Sequence, residues 1–184
     1  KDVYSLHENA LVRTKFSSGI PQMDTIKVSG KAMAGPVVYN NIVWFATDSK
    51  LAYAREDKAG VFGLGGSNNF FRFNPQDMAV CKDKDESGDR LVVVGEDGRW
   101  FWTNIRQMTV NLAGDTSISV GITGKSLHGG GRFKVACTDL DRDGKLEPIF
   151  LGSRGHVRAN LLDGMDEIWA REYKRGAAGT SGRK

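Results

Sequence analysis

The sequence predicts an all-β body of antiparallel sheets, and three observations carry that expectation. Apolar residues alternate with polar ones or come in short runs broken by Gly, Asn and Asp, which is the signature of strands rather than helices. Glycine is frequent, at 23 of 184 residues, and suits many tight turns. The chain also repeats its own grammar.

Residues 36–53 read PVVYNNIVWFATDSKLAY, residues 79–102 read AVCKDKDESGDRLVVVGEDGRWFW, and residues 135–158 read VACTDLDRDGKLEPIFLGSRGHVR. In each, a strand leads into a polar turn. An apolar strand follows and ends near a small residue (Ala46, Gly95 or Gly152), and a short turn (TDSK, EDGR or SRGH) opens the next strand. The spacing is roughly fifty residues, the period of four-stranded propeller blades. Residues 2–18, DVYSLHENALVRTKFSS, are similar to residues 157–173, VRANLLDGMDEIWAREY, the outer two strands of the last copy. The expected fold is therefore all-β, with about three and a half β-propeller blades of antiparallel four-stranded sheets. A half blade covers 1–18, and blades cover about 31–73, 77–128 and 133–173. Such a set leaves raw sheet edges, so further blades from a longer chain or a homo-oligomer are expected to complete it. Residues 174–184, KRGAAGTSGRK, are expected to form a flexible basic tail.

Composition narrows the function. The hydrophobic fraction is 40% and the charged fraction 26%, ordinary values for a folded domain. The net charge of +4 is partly the tail's, and no basic stripe interleaved with aromatics marks a nucleic-acid surface. No apolar run is long enough to span a membrane. The first residue is Lys, which fits a processed product or a fragment.

The richest chemistry lies in DLDRDGKLE. Asp139, Asp141 and Asp143 alternate in an extended turn and can converge on one side. Three close carboxylates repel one another unless a cation neutralises them. Gly144 permits the sharp turn, the Lys145 carbonyl can point inward, and Glu147 can close the shell. Hard oxygen ligands in that number suit Ca2+ better than Mg2+, which demands a stricter octahedron. The first half matches an EF-hand loop, but Phe150 stands where that loop needs its final acid, and PIFL reads as a strand. The alternative is a solvated acidic turn. A weaker second site is expected at Asp83, Asp85, Ser87 and Asp89, since Leu91 occupies the closing position. Asn40-Asn41, in the earlier copy, reads as a plain hairpin turn.

Other features suggest structure rather than chemistry. GITGKS at 121–126 is too short between its glycines for a phosphate loop, and Gly63-Leu64-Gly65-Gly66 reads as a flexible loop rather than a dinucleotide fingerprint. His7, His128 and His156 are scattered, and no catalytic set is evident. Trp44, Trp100, Trp102 and Trp169 are expected in the core between blades, with a sugar-stacking or partner-anchoring role as the alternative. Cys81 and Cys137 hold matching positions in two repeats, and buried free thiols are expected there rather than a disulfide.

Two stretches resemble known repeat families. PVVYNNIVWFATDSKLAYAREDKAG resembles the PQQ-type propeller repeat. VACTDLDRDGKLEPIFLGSRGHVRANLLDGMDEIW resembles the FG-GAP/VCBS repeat of integrin-like propellers, and residues 79–103 resemble a weakened copy. The resemblance spreads over most of residues 2–173 and is closest at 135–169. It implies a β-propeller, a calcium-binding aspartate loop closed by an acid at its ninth position, and binding or adhesion rather than catalysis. The resulting expectation is a non-enzymatic, calcium-stabilised module that binds a protein or glycan at an extracellular, cell-surface or periplasmic location. The rival expectations are part of a PQQ-dependent dehydrogenase or other propeller enzyme, and a structural subunit that completes its ring by homo-oligomerisation.

Overall fold

The computed structural model of the chain describes residues 2–17, 19–48, 50–70, 73–85, 88–111, 122–123, 132–153, 156–160 and 167–172. Their regular structure is almost all strand, in four antiparallel meanders. The first sheet holds β1 (Asp2–His7), β2 (Ala10–Ser17) and β3 (Ile20–Lys27). The second holds β4 (Ala32–Tyr39), β5 (Ile42–Thr47), β6 (Lys50–Glu56) and β7 (Phe62–Phe70). The third holds β8 (Pro75–Cys81), β9 (Arg90–Gly95), β10 (Trp100–Asn104) and β11 (Ile122–Thr123), with one short helix, α1 (Ile105–Asn111), between the last two. The fourth holds β12 (Phe133–Thr138), β13 (Glu147–Gly152), β14 (His156–Asn160) and β15 (Glu167–Glu172). In each sheet the strands pair in sequence order. Short turns enforce this: Asn40 and Asn41, at φ 48° and 61°, both take the left-handed conformation that a tight hairpin needs.

The sheets stack in chain order. Leu11 of β2 joins Val43 and Phe45 of β5 in one apolar cluster. Trp44 and Ala46, from the other face of β5, meet Met78, Leu91, Val93 and Phe101 of the third sheet. Val92, Val94 and Trp100 then meet Phe133, Val135 and Phe150 of the fourth. All six residues of β5 are buried, as are five of six in β9. This is why IVWFAT and LVVVG read as unbroken apolar runs rather than alternating ones: both faces of these strands are covered.

The first strands of the four-stranded sheets lie side by side, β4 against β8 and β8 against β12. Gly35 of β4 shows how close the approach is. A Cβ there would stand 3.0 Å from Met78 Sδ and 3.1 Å from Phe45 Cα, and its φ of +107° already favours glycine. Strands β8 and β12 are joined through side chains, because Gln76 Oε1 accepts from the Phe133 N–H and Asp77 Oδ2 from the Val135 N–H.

Three details differ from expectation or were not foreseen. The Gly63–Gly66 stretch is part of strand β7, not a flexible loop. The reason is packing: Tyr53 of β6 lies across Gly65, where a Cβ would come within 2.0 Å of its ring. The first sheet has a third strand, β3. Helix α1 is capped by Asn104, whose Oδ1 accepts from the Gln107 N–H, and it drives Ile105 and Met108 into the core. Of GITGKS, only Ile122 and Thr123 are among the described residues, and the tail lies outside them.

The two cysteines overturn the free-thiol expectation. Cys81 ends β8 and Cys137 lies in β12, with Cα atoms 5.2 Å apart, and they form a disulfide. Because neighbouring sheets pack through their first strands, equivalent positions in successive copies face each other. The repeat that suggested separation in fact creates contact.

Candidate metal centre

Strands β12 and β13 end their pairing at Thr138 and Glu147, so the connecting loop starts and stops at one place. The loop winds back on its own aspartates. Asp139 Oδ2 accepts from the Gly144 N–H at 3.1 Å, Asp141 Oδ1 from the Asp143 N–H at 3.2 Å, and Asp143 Oδ1 from the Lys145 N–H at 2.8 Å. Gly144, at φ +92°, makes the reversal with the Lys84 side chain 3.1 Å from where a Cβ would sit. Glu147 is buried at the first residue of β13, and its Oε2 accepts from the Leu140 N–H at 2.8 Å.

This winding brings carboxylate oxygens of Asp139, Asp141 and Glu147 within 4.8 Å of one another, a group that can hold a metal ion. Asp143 stands outside the group. Lys145 is fixed through its N–H. Two observations show that the arrangement is electrostatically incomplete as it stands. Asp139 Oδ1 is buried and has no hydrogen-bond partner, an expensive state for a carboxylate oxygen. Burial pushes the Glu147 carboxyl above the ordinary glutamate range against the hydrogen bond from Leu140, and the negative charges of Asp141 and Asp143 add to the rise. A cation among these oxygens would relieve both, so the donor set fits a metal.

The second loop is built differently. Asp89 is buried and its Oδ1 accepts from the Asp83 N–H, closing the base of the loop as Glu147 does in the first. Asp83 Oδ1 accepts from the Asp85 N–H at 3.3 Å, and Ser87 lies outside the described residues. Among the described residues, Asp139, Asp141 and Glu147 form the one converging group. The two loops adjoin: the Leu146 N–H donates to the Lys82 carbonyl at 2.9 Å, and the disulfide ties their roots two residues before Asp83 and Asp139.

Of the other singled-out residues, Trp44 and Trp100 are fully buried, Trp100 packing on Phe150 at 5.2 Å. Trp102 is half-buried under the Arg90 guanidinium. His7 is exposed and contacts Ser5 Oγ. The side chains of His128, His156 and Trp169 lie outside the described residues.

Sequence reasoning missed a second concentration of charge. Arg13 is buried between the first and second sheets, where it donates to Asp24 Oδ2 at 2.7 Å and to Glu56, and stacks on Phe62 at 4.2 Å. No motif surrounds Arg13. The available signal was a lone cation on the apolar-facing side of an alternating strand.

No protein-family model and no curated protein matches the chain.

Proposed function

We propose that the four sheets are consecutive blades of a β-propeller and that Asp139, Asp141 and Glu147 hold a calcium ion. The module then works as a non-enzymatic binding unit for a protein or glycan outside the cytoplasm. The observation that carries this reading is the convergence of three carboxylates around a buried, partnerless Asp139 oxygen. When bound, the ion supplies positive charge that three mutually repelling carboxylates lack. The chain's own residues do the rest. Asp139 and Asp141 keep their second ligand-forming geometry by accepting loop N–H groups, and Glu147 anchors the shell to the first residue of a core strand. Hard carboxylate oxygens on a loop open to water suit the larger, more tolerant calcium shell. The role is to rigidify a blade edge, as expected of loops that fill at millimolar extracellular calcium.

The propeller reading is supported by four-stranded meanders that pack through their first strands and bury every interface between them. The placement outside the cytoplasm is supported by the Cys81–Cys137 disulfide, a bond that persists in oxidising compartments. Among the described residues the row of sheets does not close on itself, which favours completion by further blades or a second copy. A sedimentation mass equal to one chain would reject the second copy.

Thermal melts test the ion. Calcium should raise the Tm of the full chain, and Asp141→Ala should remove most of that rise. An equal rise in the variant would refute the assignment.

A further inference from the structure

The cleft between the first two sheets is a separate candidate. Asp2 and Tyr4 of β1, Arg13 of β2, Asn41 of the β4–β5 turn, and Glu56, Asp57 and Phe62 around the β6–β7 turn line a cavity of about 490 Å³. That volume lies within the usual range for ligand pockets, about 300–1,000 Å³. The lining carries three carboxylates against one guanidinium. The guanidinium is already committed to Asp24, Glu56 and the Phe62 ring. The Tyr4 hydroxyl donates to Asp2 Oδ2. What remains is carboxylate acceptor capacity beside the Asn41 amide, which can both donate and accept. Asp57 places Oδ1 on the N–H groups of Ala59 and Val61, at 2.9 and 2.8 Å, and its Oδ2 has no partner among the described residues. Glu56 takes both Arg13 and Lys15 on Oε2, leaving Oε1. The apolar wall is the Tyr4–Phe62 pair, with ring centroids 5.9 Å apart.

An anion is repelled by the excess negative charge. A neutral sugar would leave the excess negative charge unanswered, since the one guanidinium here is already engaged. A cationic head on an aliphatic stem matches both parts of the lining. We propose that this cleft captures a lysine or arginine side chain of a polypeptide, its stem against Tyr4 and Phe62 and its head at Asp57 Oδ2 and Glu56 Oε1. This deepens the proposed binding role by naming the chemistry of the partner, and it does not depend on the ion. The cation comes from a separate polypeptide, and occupation by this chain's own KRGAAGTSGRK segment at 174–184 is the outcome that would overturn that source.

The test is calorimetric titration of the full chain with three synthetic peptides: KRGAAGTSGRK, its version with Gln at every Lys and Arg, and an unrelated Gly-Ser peptide carrying two lysines and two arginines. Both cationic peptides should bind and the Gln version should not. Raising the salt to about 0.5 M should weaken binding. Asp57→Asn retains the acceptor for Ala59 and Val61, so the turn should hold and the Tm stay level, while affinity falls about tenfold. Tyr4→Ala should weaken binding by a similar factor. Absence of saturable binding up to about 1 mM, or wild-type affinity in Asp57→Asn, overturns the proposal. The full chain with Lys174→Gln, Arg175→Gln, Arg183→Gln and Lys184→Gln separates the sources. Tighter binding of free peptide to this variant makes the chain's own segment the resident occupant, and equal affinity assigns the cleft to a separate partner. Calcium melts run alongside keep the two readings apart, since a lost calcium effect with intact peptide binding rejects only the ion.

Discussion

At the scale of single residues, charge that is paired and charge that is not behave differently. Arg13 is buried but answered by two carboxylates, and the hydrogen bond from Arg13 holds the Glu56 carboxyl below the ordinary glutamate range. A carboxyl whose folded value is depressed contributes stability that is present above its unfolded value, near 4.5, and is lost as pH falls through the folded value. Melts between neutral and acid pH should therefore show stability dropping below that point. Glu56→Gln should flatten this part of the profile, and an unchanged profile would place the titration elsewhere. Removing the cation is harsher: Arg13→Ala leaves Asp24 and Glu56 facing each other. Because those partners are half-exposed and reachable by water, the cost should be about 2 kcal/mol, less than for a fully buried pair. Glu147 is the contrasting case, a buried acid with acids for neighbours.

At the scale of elements, the aspartate loops are held less by their own sequence than by the strands that carry them. Each loop springs from a strand that faces its counterpart across a sheet boundary, and the Cys81–Cys137 bond closes a span of 56 residues. Chain-entropy arguments put such a cross-link at about 4 kcal/mol. Reduction should lower stability by that order in denaturant titrations. It should also shrink the calcium-induced rise in Tm, because the roots of the loop at Asp139 are then free to separate. A calcium increment that survives reduction intact would show that the loop is self-sufficient. Backbone geometry adds to this: Gly144→Ala, at a positive φ, should cost about 1–2 kcal/mol.

At the scale of the molecule, sheets that share both faces with neighbours differ from those that do not. β5 and β9 are sandwiched, while most of β3 faces solvent, with Ile20 and Met23 72% and 73% exposed. Hydrogen exchange should rank them accordingly, slowest in β5 and β9 and fastest in β3. Uniform protection across the four sheets would contradict a stack whose stability is concentrated at its interfaces.

Much of this was legible beforehand, for a local reason. A strand covered on both faces must be apolar at successive positions, so IVWFAT and LVVVG read as apolar strands from the sequence, and the structure shows both of their faces covered. Asn-Asn and Gly144 announced turns whose φ values few other residues accept. The spacing of Asp139, Asp141 and Glu147 reflects a loop that closes on itself within nine residues, so their convergence was visible in the chain, whereas Asp143, expected to converge with them, stands outside the group with its Oδ1 on the Lys145 N–H. Helix α1 was missed because seven residues carry too little periodicity, although the Asn104 cap was readable. The disulfide, the Arg13 pairing and the strand state of Gly63–Gly66 were decided only by the tertiary structure. The first two depend on what lies across a sheet boundary, Cys137 for Cys81 and Glu56 for Arg13, and the third on the neighbouring strand of the same sheet, where the Tyr53 ring lies over Gly65. Local sequence determines how a segment bends and which faces it must hide, whereas the identity of the neighbour that hides them is set by how the sheets stack.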